Sequence, residues 1–223
     1  MNVPMDVWEV IWLSLQVTTT AIVIGMLIGI PFGAFLGLYS FPGKRLVVII
    51  IYTLMGLPPV LVGVIVYLLF SRYGPLGSLG LLFTPQAMVI AQVLLVSPII
   101  TGLTMSAVHA KEKAYWETAK SLGASPIQMM LTIIMEARKG IFSGIAAAYG
   151  RAISEVGAVM LVGGNILHHT RVMTTAIILE TRMGNFSSGL ALGLVLLAIS
   201  FLFNSFLLIG ALQQIQPKRR LRS

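Results

Sequence analysis

Cysteine is absent from the 223-residue chain. Disulfides, thiolate metal sites, cysteine nucleophiles and iron–sulfur ligation are therefore excluded. Histidine is scarce: there are three, His109, His168 and His169. That is too few ligands for a cage, and no metal site is expected. Charge is scarce as well, at 10% of residues against roughly 25% in an average soluble domain. No Gly-x-Ser-x-Gly elbow occurs and no histidine lies deep in an apolar stretch, so an intramembrane hydrolase has no constellation to work with. A phosphate-binding loop needs Gly, four residues, then Gly-Lys-Ser/Thr. The nearest approach, Gly37 to Gly43-Lys44-Arg45, has five intervening residues and an arginine in the hydroxyl position. The chain is expected to bind no nucleotide or other cofactor itself.

Apolar residues fill the space that charge leaves, at 57% of the chain and a mean hydropathy of +0.94. Five apolar segments, about 10–38, 46–70, 86–108, 141–162 and 190–212, are long enough to be membrane spans. The first ten residues carry Asp6 and Glu9 and no basic residue, unlike the start of a cleaved signal peptide, so the first segment is expected to be retained. A net charge of +8 would suggest nucleic acid in a soluble protein. Here its placement matters more. Lys44 and Arg45 follow span one; Lys111, Lys113, Lys120, Arg138 and Lys139 lie between spans three and four; Lys218, Arg219, Arg220 and Arg222 end the chain. Only Arg72, Arg171 and Arg182 fall on the opposite side, and Arg151 lies within span four. The positive-inside rule then places the N-terminus outside and the C-terminus in the cytoplasm. An all-α, five-span protein of the cell membrane is predicted, a single domain with lipid rather than nucleic acid around it.

Gly25, Gly29, Gly33 and Gly37 recur every four residues and put a small-residue stripe on one face of span one, a device for close helix packing. Pro31, Pro58-Pro59 and Pro98 remove amide donors within the spans and predict kinks, either static or lining a pathway.

Between spans three and four, residues 109–139 are polar with a helical pattern. Tyr115, Ala119 and Leu122 share a face, while Glu117, Lys120 and Ser121 turn elsewhere. Gly123 and Pro126 supply a helix stop. A short amphipathic helix over about 112–123 is predicted on the cytoplasmic face, as an interfacial anchor or as a docking knob for a partner.

Glu117-Thr118-Ala119, three residues, Gly123, nine residues, then Ile133 resembles the coupling-helix signature of ABC importer permeases. That pattern reads Glu-Ala-Ala, three residues, Gly, nine residues, Ile, any residue, Leu-Pro. Thr118 replaces its second residue, and Met135-Glu136 stands where Leu-Pro is expected. The stretch from Gly56 through Pro58-Pro59 to Gly63, Gly74-Pro75-Leu76-Gly77, and the run from Gly150 to Gly157 followed by Gly164-Asn165-Ile166 are similar to the molybdate, tungstate and sulfate permeases, most of all those for tungstate. This resemblance implies a type I ABC importer fold and a homodimer. It also implies two cytoplasmic ATPase subunits that hold ATP and magnesium, and an extracytoplasmic oxyanion-binding protein. Glu117, Ala119, Lys120 and Gly123 would couple the chain to the ATPase. A stand-alone secondary carrier, the alternative, has no use for such a signature and usually shows internal repeats, which these spans lack.

Arg151 and Glu155 are four apart on the helix of span four, hence on one face and within pairing distance. The pair reads as an internal lock, or with Arg151 on an oxyanion path beside the hydroxyls of Ser154, Thr101 and Thr104. In the longest external segment, 163–189, the stretch Met173–Glu180 is too short to span and is expected to be a surface or re-entrant helix. Arg171, Arg182 and Arg72 are expected as solvated charges or as contacts for a binding protein. His168 and His169 are expected as solvated loop residues.

Overall fold

A computed structural model describes residues 7–212, with side chains described for all of these except 112–114, 119, 120, 208 and 210–212. The charged tail from Lys218 to Arg222 lies outside them. The described residues form α1 (Val7–Leu38), α2 (Lys44–Met55), α3 (Pro59–Phe70), α4 (Pro85–Ser121), α5 (Pro126–Ile153), α6 (Gly157–Gly163), α7 (Met173–Arg182) and α8 (Phe186–Leu212). A single 3-10 turn, Gly77–Leu79, sits before α4.

Among the described residues, three helices contain an apolar stretch long enough to cross a bilayer alone: Val7–Leu38, Pro85–Lys111 and Phe186–Leu207. The other two expected spans are each a bent pair. α2 and α3 meet at 99°, and α5 and α6 at 53°. The span expected over 46–70 is two twelve-residue helices bent at Pro58-Pro59, where the kink is expected. Gly56 caps the first, Pro58 sits extended at ψ 124°, and Pro59 restarts the second at the position where a missing amide costs nothing. Pro31 and Pro98 behave differently. They lie inside α1 and α4 without ending either helix.

A second correction concerns the predicted helix at 112–123. It is not a separate element but the end of α4, which runs unbroken to Ser121. Polarity marks where the apolar stretch ends at Lys111, not where the helix ends, because residues 111–121 contain no glycine or proline. At 1.5 Å per residue, α4 is about 55 Å long, well beyond a hydrocarbon layer of about 30 Å. The helix stop itself is as expected: Gly123 takes φ +74°. Ser125 and Gln128 then form a reciprocal capping box that starts α5 at Pro126.

The glycine stripe of α1 packs against α4. A Cβ on Gly29 would lie 2.8 Å from Ile100 Cγ2, and one on Gly33 would lie 2.5 Å from the Thr101 carbonyl oxygen. Gly25 and Gly37 meet Val96 and Val108 as closely. Tyr149 stacks on Phe203, tying α5 to α8. α8 otherwise offers its surface outward: 6% of its apolar window is buried. A helix so apolar and so bare has lipid for its solvent.

Because the seam has no room, Gly33→Leu is expected to destabilise the detergent-solubilised protein by about 1–3 kcal/mol or more, as overpacking does. Gly150, where an added Cβ would meet nothing within 4 Å, is the control. Gly150→Ala should leave the thermal unfolding midpoint unchanged or slightly raised.

Candidate translocation face and coupling end

The two bent pairs meet at their breaks. A Cβ on Gly63 of α3 would lie 2.8 Å from Ala158 Cα of α6, and one on Gly157 would lie 2.8 Å from Val60 Cγ2. The Pro58 and Ser154–Val156 breaks are thereby brought side by side. Backbone freed at such breaks must find partners inside the protein, since lipid supplies none.

Side chains from four places supply them around the second break. Gln92 Nε2 of α4 donates to the Ala152 carbonyl at 3.1 Å. Glu155 Oε1 accepts the Ala158 amide at 3.1 Å, satisfying an amide at the start of α6. Thr174 of α7 donates to the Glu155 carbonyl at 2.9 Å. Ser14 of α1 accepts the Met173 amide at 2.8 Å and donates to the Val10 carbonyl. These side chains and Thr18 line a cavity of about 10 Å³, room for one water. Gln92 Oε1, buried and without a protein partner, is the group such a water would satisfy. Gln92, Ser14 and Thr174 carry no motif that singles them out in the sequence. A glutamine set inside an apolar run is the signal that points to Gln92.

The expected ion pair of Arg151 with Glu155 is not formed. α5 ends at Ile153 and Ser154 is its C-cap, so the four-residue spacing does not place the two on one helical face. Glu155 is buried and turned to the α6 amide, whereas Arg151 is exposed. Ser154 is exposed as well, but its hydroxyl donates back to the Gly150 and Arg151 carbonyls. Thr101 and Thr104 are 2% and 1% exposed, closed within the α1–α4 seam, and Thr101 donates to the Ser97 carbonyl. They are not open to a passing anion in this arrangement. Of the four residues expected on the path, Arg151 alone presents an exposed cation.

α7 begins buried at Met173–Ala176 and is no surface helix. Its approach loop is held by Thr170, which accepts the Ile166 amide at 3.0 Å. Arg171 is half-buried and donates to Asn165 Oδ1 at 3.2 Å, while Arg72 and Arg182 are exposed. His168 is solvent-exposed, as expected, and its Nδ1 also meets Glu9 Oε2 of α1 at 2.5 Å. Among the described residues no three His, Asp or Glu side chains cluster as a metal site.

At the other end, Glu117 is exposed on the last turns of α4. The side chains of Ala119 and Lys120 lie outside the described ones. Gly123 has open space around it. Leu122, Ile127 and Leu131 are 81%, 67% and 53% exposed, an apolar knob around that turn. Ile133, by contrast, is fully buried, so the isoleucine of the signature anchors the hairpin in the core. Met135-Glu136, in place of Leu-Pro, lets α5 continue without a break. Tyr115 donates to Glu136 Oε2 at 3.1 Å, and that hydrogen bond, with the carboxylate charge, raises its pKa above the ordinary value. Its hydroxyl remains a donor that braces α4 against α5.

A double-mutant cycle separates the two readings of residues 151 and 155. Glu155→Ala is expected to cost about 1–3 kcal/mol, since it orphans a buried amide. Arg151→Gln should stay within about 0.5 kcal/mol of wild type, as exposed substitutions do. Coupling near zero in thermal unfolding is the expected result.

The arrangement of long and bent helices is shared with a solved structure. The inward-facing MetNI methionine ABC transporter aligns with a TM-score of 0.74 at 19% identity, over 95% of this chain and 99% of that one. In sequence, the tungstate uptake system permease protein TupB of Peptoclostridium acidaminophilum is 46% identical over 90% of this chain and 88% of its own length. The molybdenum transport system permease protein ModB of Escherichia coli is 26% identical over 90% and 93%. Residues 29–219 match the family model described as the binding-protein-dependent transport system inner membrane component. The chain is a multi-pass membrane protein and belongs to that family of ABC importer permeases.

Proposed function

We propose that this chain is the membrane-spanning subunit of an ATP-driven importer that carries tungstate into the cytoplasm. The observation that carries this reading is the exposed apolar turn around Gly123 at the tip of a helix that also lines the α1–α4 seam. Such a knob, joined rigidly to the transmembrane core, suits transmission of motion from a cytoplasmic partner. Two ATPase subunits, each holding ATP and magnesium, seat two such knobs, one from each copy of a homodimer; this chain binds no cofactor itself. Closed two-fold symmetry supplies the second wall of a pathway that one set of spans leaves open. The exposed apolar face of α2 and α3, with Ile49, Val60 and Val64, is available to that second copy.

Tungstate is preferred over molybdate because the relative named for tungstate is far more similar than the one named for molybdenum. The two anions are near-identical tetrahedra, so Arg151 on the translocation face recognises charge rather than identity. Discrimination resides in the extracytoplasmic binding protein, whose closed site places every donor.

Tungstate uptake by the complete transporter in proteoliposomes tests the reading. Wild type should import tungstate only with ATP inside the compartment that holds the ATPase. Gly123→Leu and Glu117→Arg should leave assembly intact yet lower uptake at least about tenfold, because φ +74° at position 123 disfavours any side chain. Uptake without ATP would favour a secondary carrier, and normal uptake by both variants would remove the coupling role from this turn.

A further inference from the structure

The side chains gathered at the α5–α6 break surround their small cavity with oxygen. Ser14 commits its hydroxyl hydrogen to the Val10 carbonyl, and Thr174 commits its own to the Glu155 carbonyl. Gln92 turns its amide nitrogen to the Ala152 carbonyl, which can only accept, so Oε1 is the atom left over. That oxygen is buried without a protein partner, on a residue that is 4% exposed and lines the cavity. Thr18 adds a further hydroxyl to the lining. The space is thus faced by lone pairs more than by hydrogens, which suits a cation or a water and repels an anion.

Charge decides between those two. Glu155 lines the same cavity and is 7% exposed, and its carboxylate accepts the Ala158 amide at Oε1. Among the described residues no basic side chain pairs with it: Arg151 is exposed, and Arg171 donates to Asn165. A water would satisfy Gln92 and leave the buried carboxylate without a counter-charge, whereas buried charges are met by a partner or a metal ion. Ile153, the last residue of α5, also lines the cavity, so the negative end of that helix dipole lies beside it.

We propose that this cavity is a binding site for one sodium ion. A single carboxylate among neutral oxygens balances one positive charge, while calcium calls on about six to eight oxygens at once. A volume of about 10 Å³ admits one small ion without its water shell, which favours sodium over the larger potassium. Broken membrane helices commonly meet such ions at the ends of their halves. Held there, the ion ties α1, α4 and α7 to the break through Ser14, Thr18, Gln92, Thr174 and Glu155. The inference rests on the packing at the break and not on which anion the transporter carries.

Thermal unfolding of the complete, detergent-solubilised transporter is compared in sodium, potassium and choline chloride at one ionic strength, together with equilibrium binding of radioactive sodium. Sodium at ten times its dissociation constant should raise the wild-type midpoint by about 3–6 °C over choline, and potassium by less. One sodium ion should bind per chain. Glu155→Gln keeps an oxygen for the Ala158 amide and removes the charge. It should unfold at the same midpoint in all three salts, at or above that of wild type in choline. Thr18→Val, which keeps the side-chain shape and removes one oxygen, should weaken sodium binding about tenfold. Equal wild-type midpoints in the three salts, stabilisation by sodium that survives in Glu155→Gln, or undiminished binding in Thr18→Val overturns the proposal. So does a midpoint that follows pH but not sodium, which would make the occupant a proton.

Discussion

A bilayer offers no hydrogen bonds, and this one constraint governs the architecture. α2–α3 and α5–α6 each break within what is otherwise a span, freeing backbone groups that must be satisfied internally. The second break is served by Gln92, Glu155 and Thr174 from three different parts of the chain. Each such bond contributes about 1 kcal/mol net when made, but a buried group left unmet costs about 1–3 kcal/mol. α4, α6 and α7 are accordingly held in register by groups that have nowhere else to go. The first break packs directly on the second through Gly63, Ala158, Gly157 and Val60, so neither bend stands alone.

α4 connects this polar knot to the opposite end of the molecule. The face that closes on the glycine stripe of α1 also carries Gln92 to the break. The same helix leaves the membrane and ends beside Gly123. A displacement of the turn is therefore a displacement of a single rod, with no flexible joint between the exposed knob and the seam. Tyr115, bound to Glu136, keeps the returning α5 in step with it.

Much of this is legible in the chain because the signals are periodic or conformational. Long apolar runs locate the spans, glycines every fourth residue locate the seam, and Pro58-Pro59 locates one bend. Gly123 and Pro126 locate the turn. What is illegible has physical reasons. The break after Ile153 carries no proline, so the four-residue spacing of Arg151 and Glu155 suggests a pair that the interrupted helix cannot make. Polarity after Lys111 suggests a new helix, although only the surroundings change there and not the backbone. Thr101 and Thr104 offer hydroxyls, but their neighbours on α1 close them off. Gln92 has no motif; its role exists only once α5 has broken opposite it.

The central claim is that the turn at Gly123 is the surface by which the permease meets its ATPase. The absence of cysteine makes that claim directly measurable, since Leu122→Cys creates a unique thiol on the exposed knob. Labelling of this variant by a water-soluble maleimide is compared in the detergent-solubilised, assembled transporter and in the permease stripped of its ATPase, with Ser78→Cys, exposed in the loop before α4, as the reference. The account predicts strong protection at position 122 on assembly and unchanged labelling at 78. Equal labelling at position 122 with and without the ATPase would contradict it.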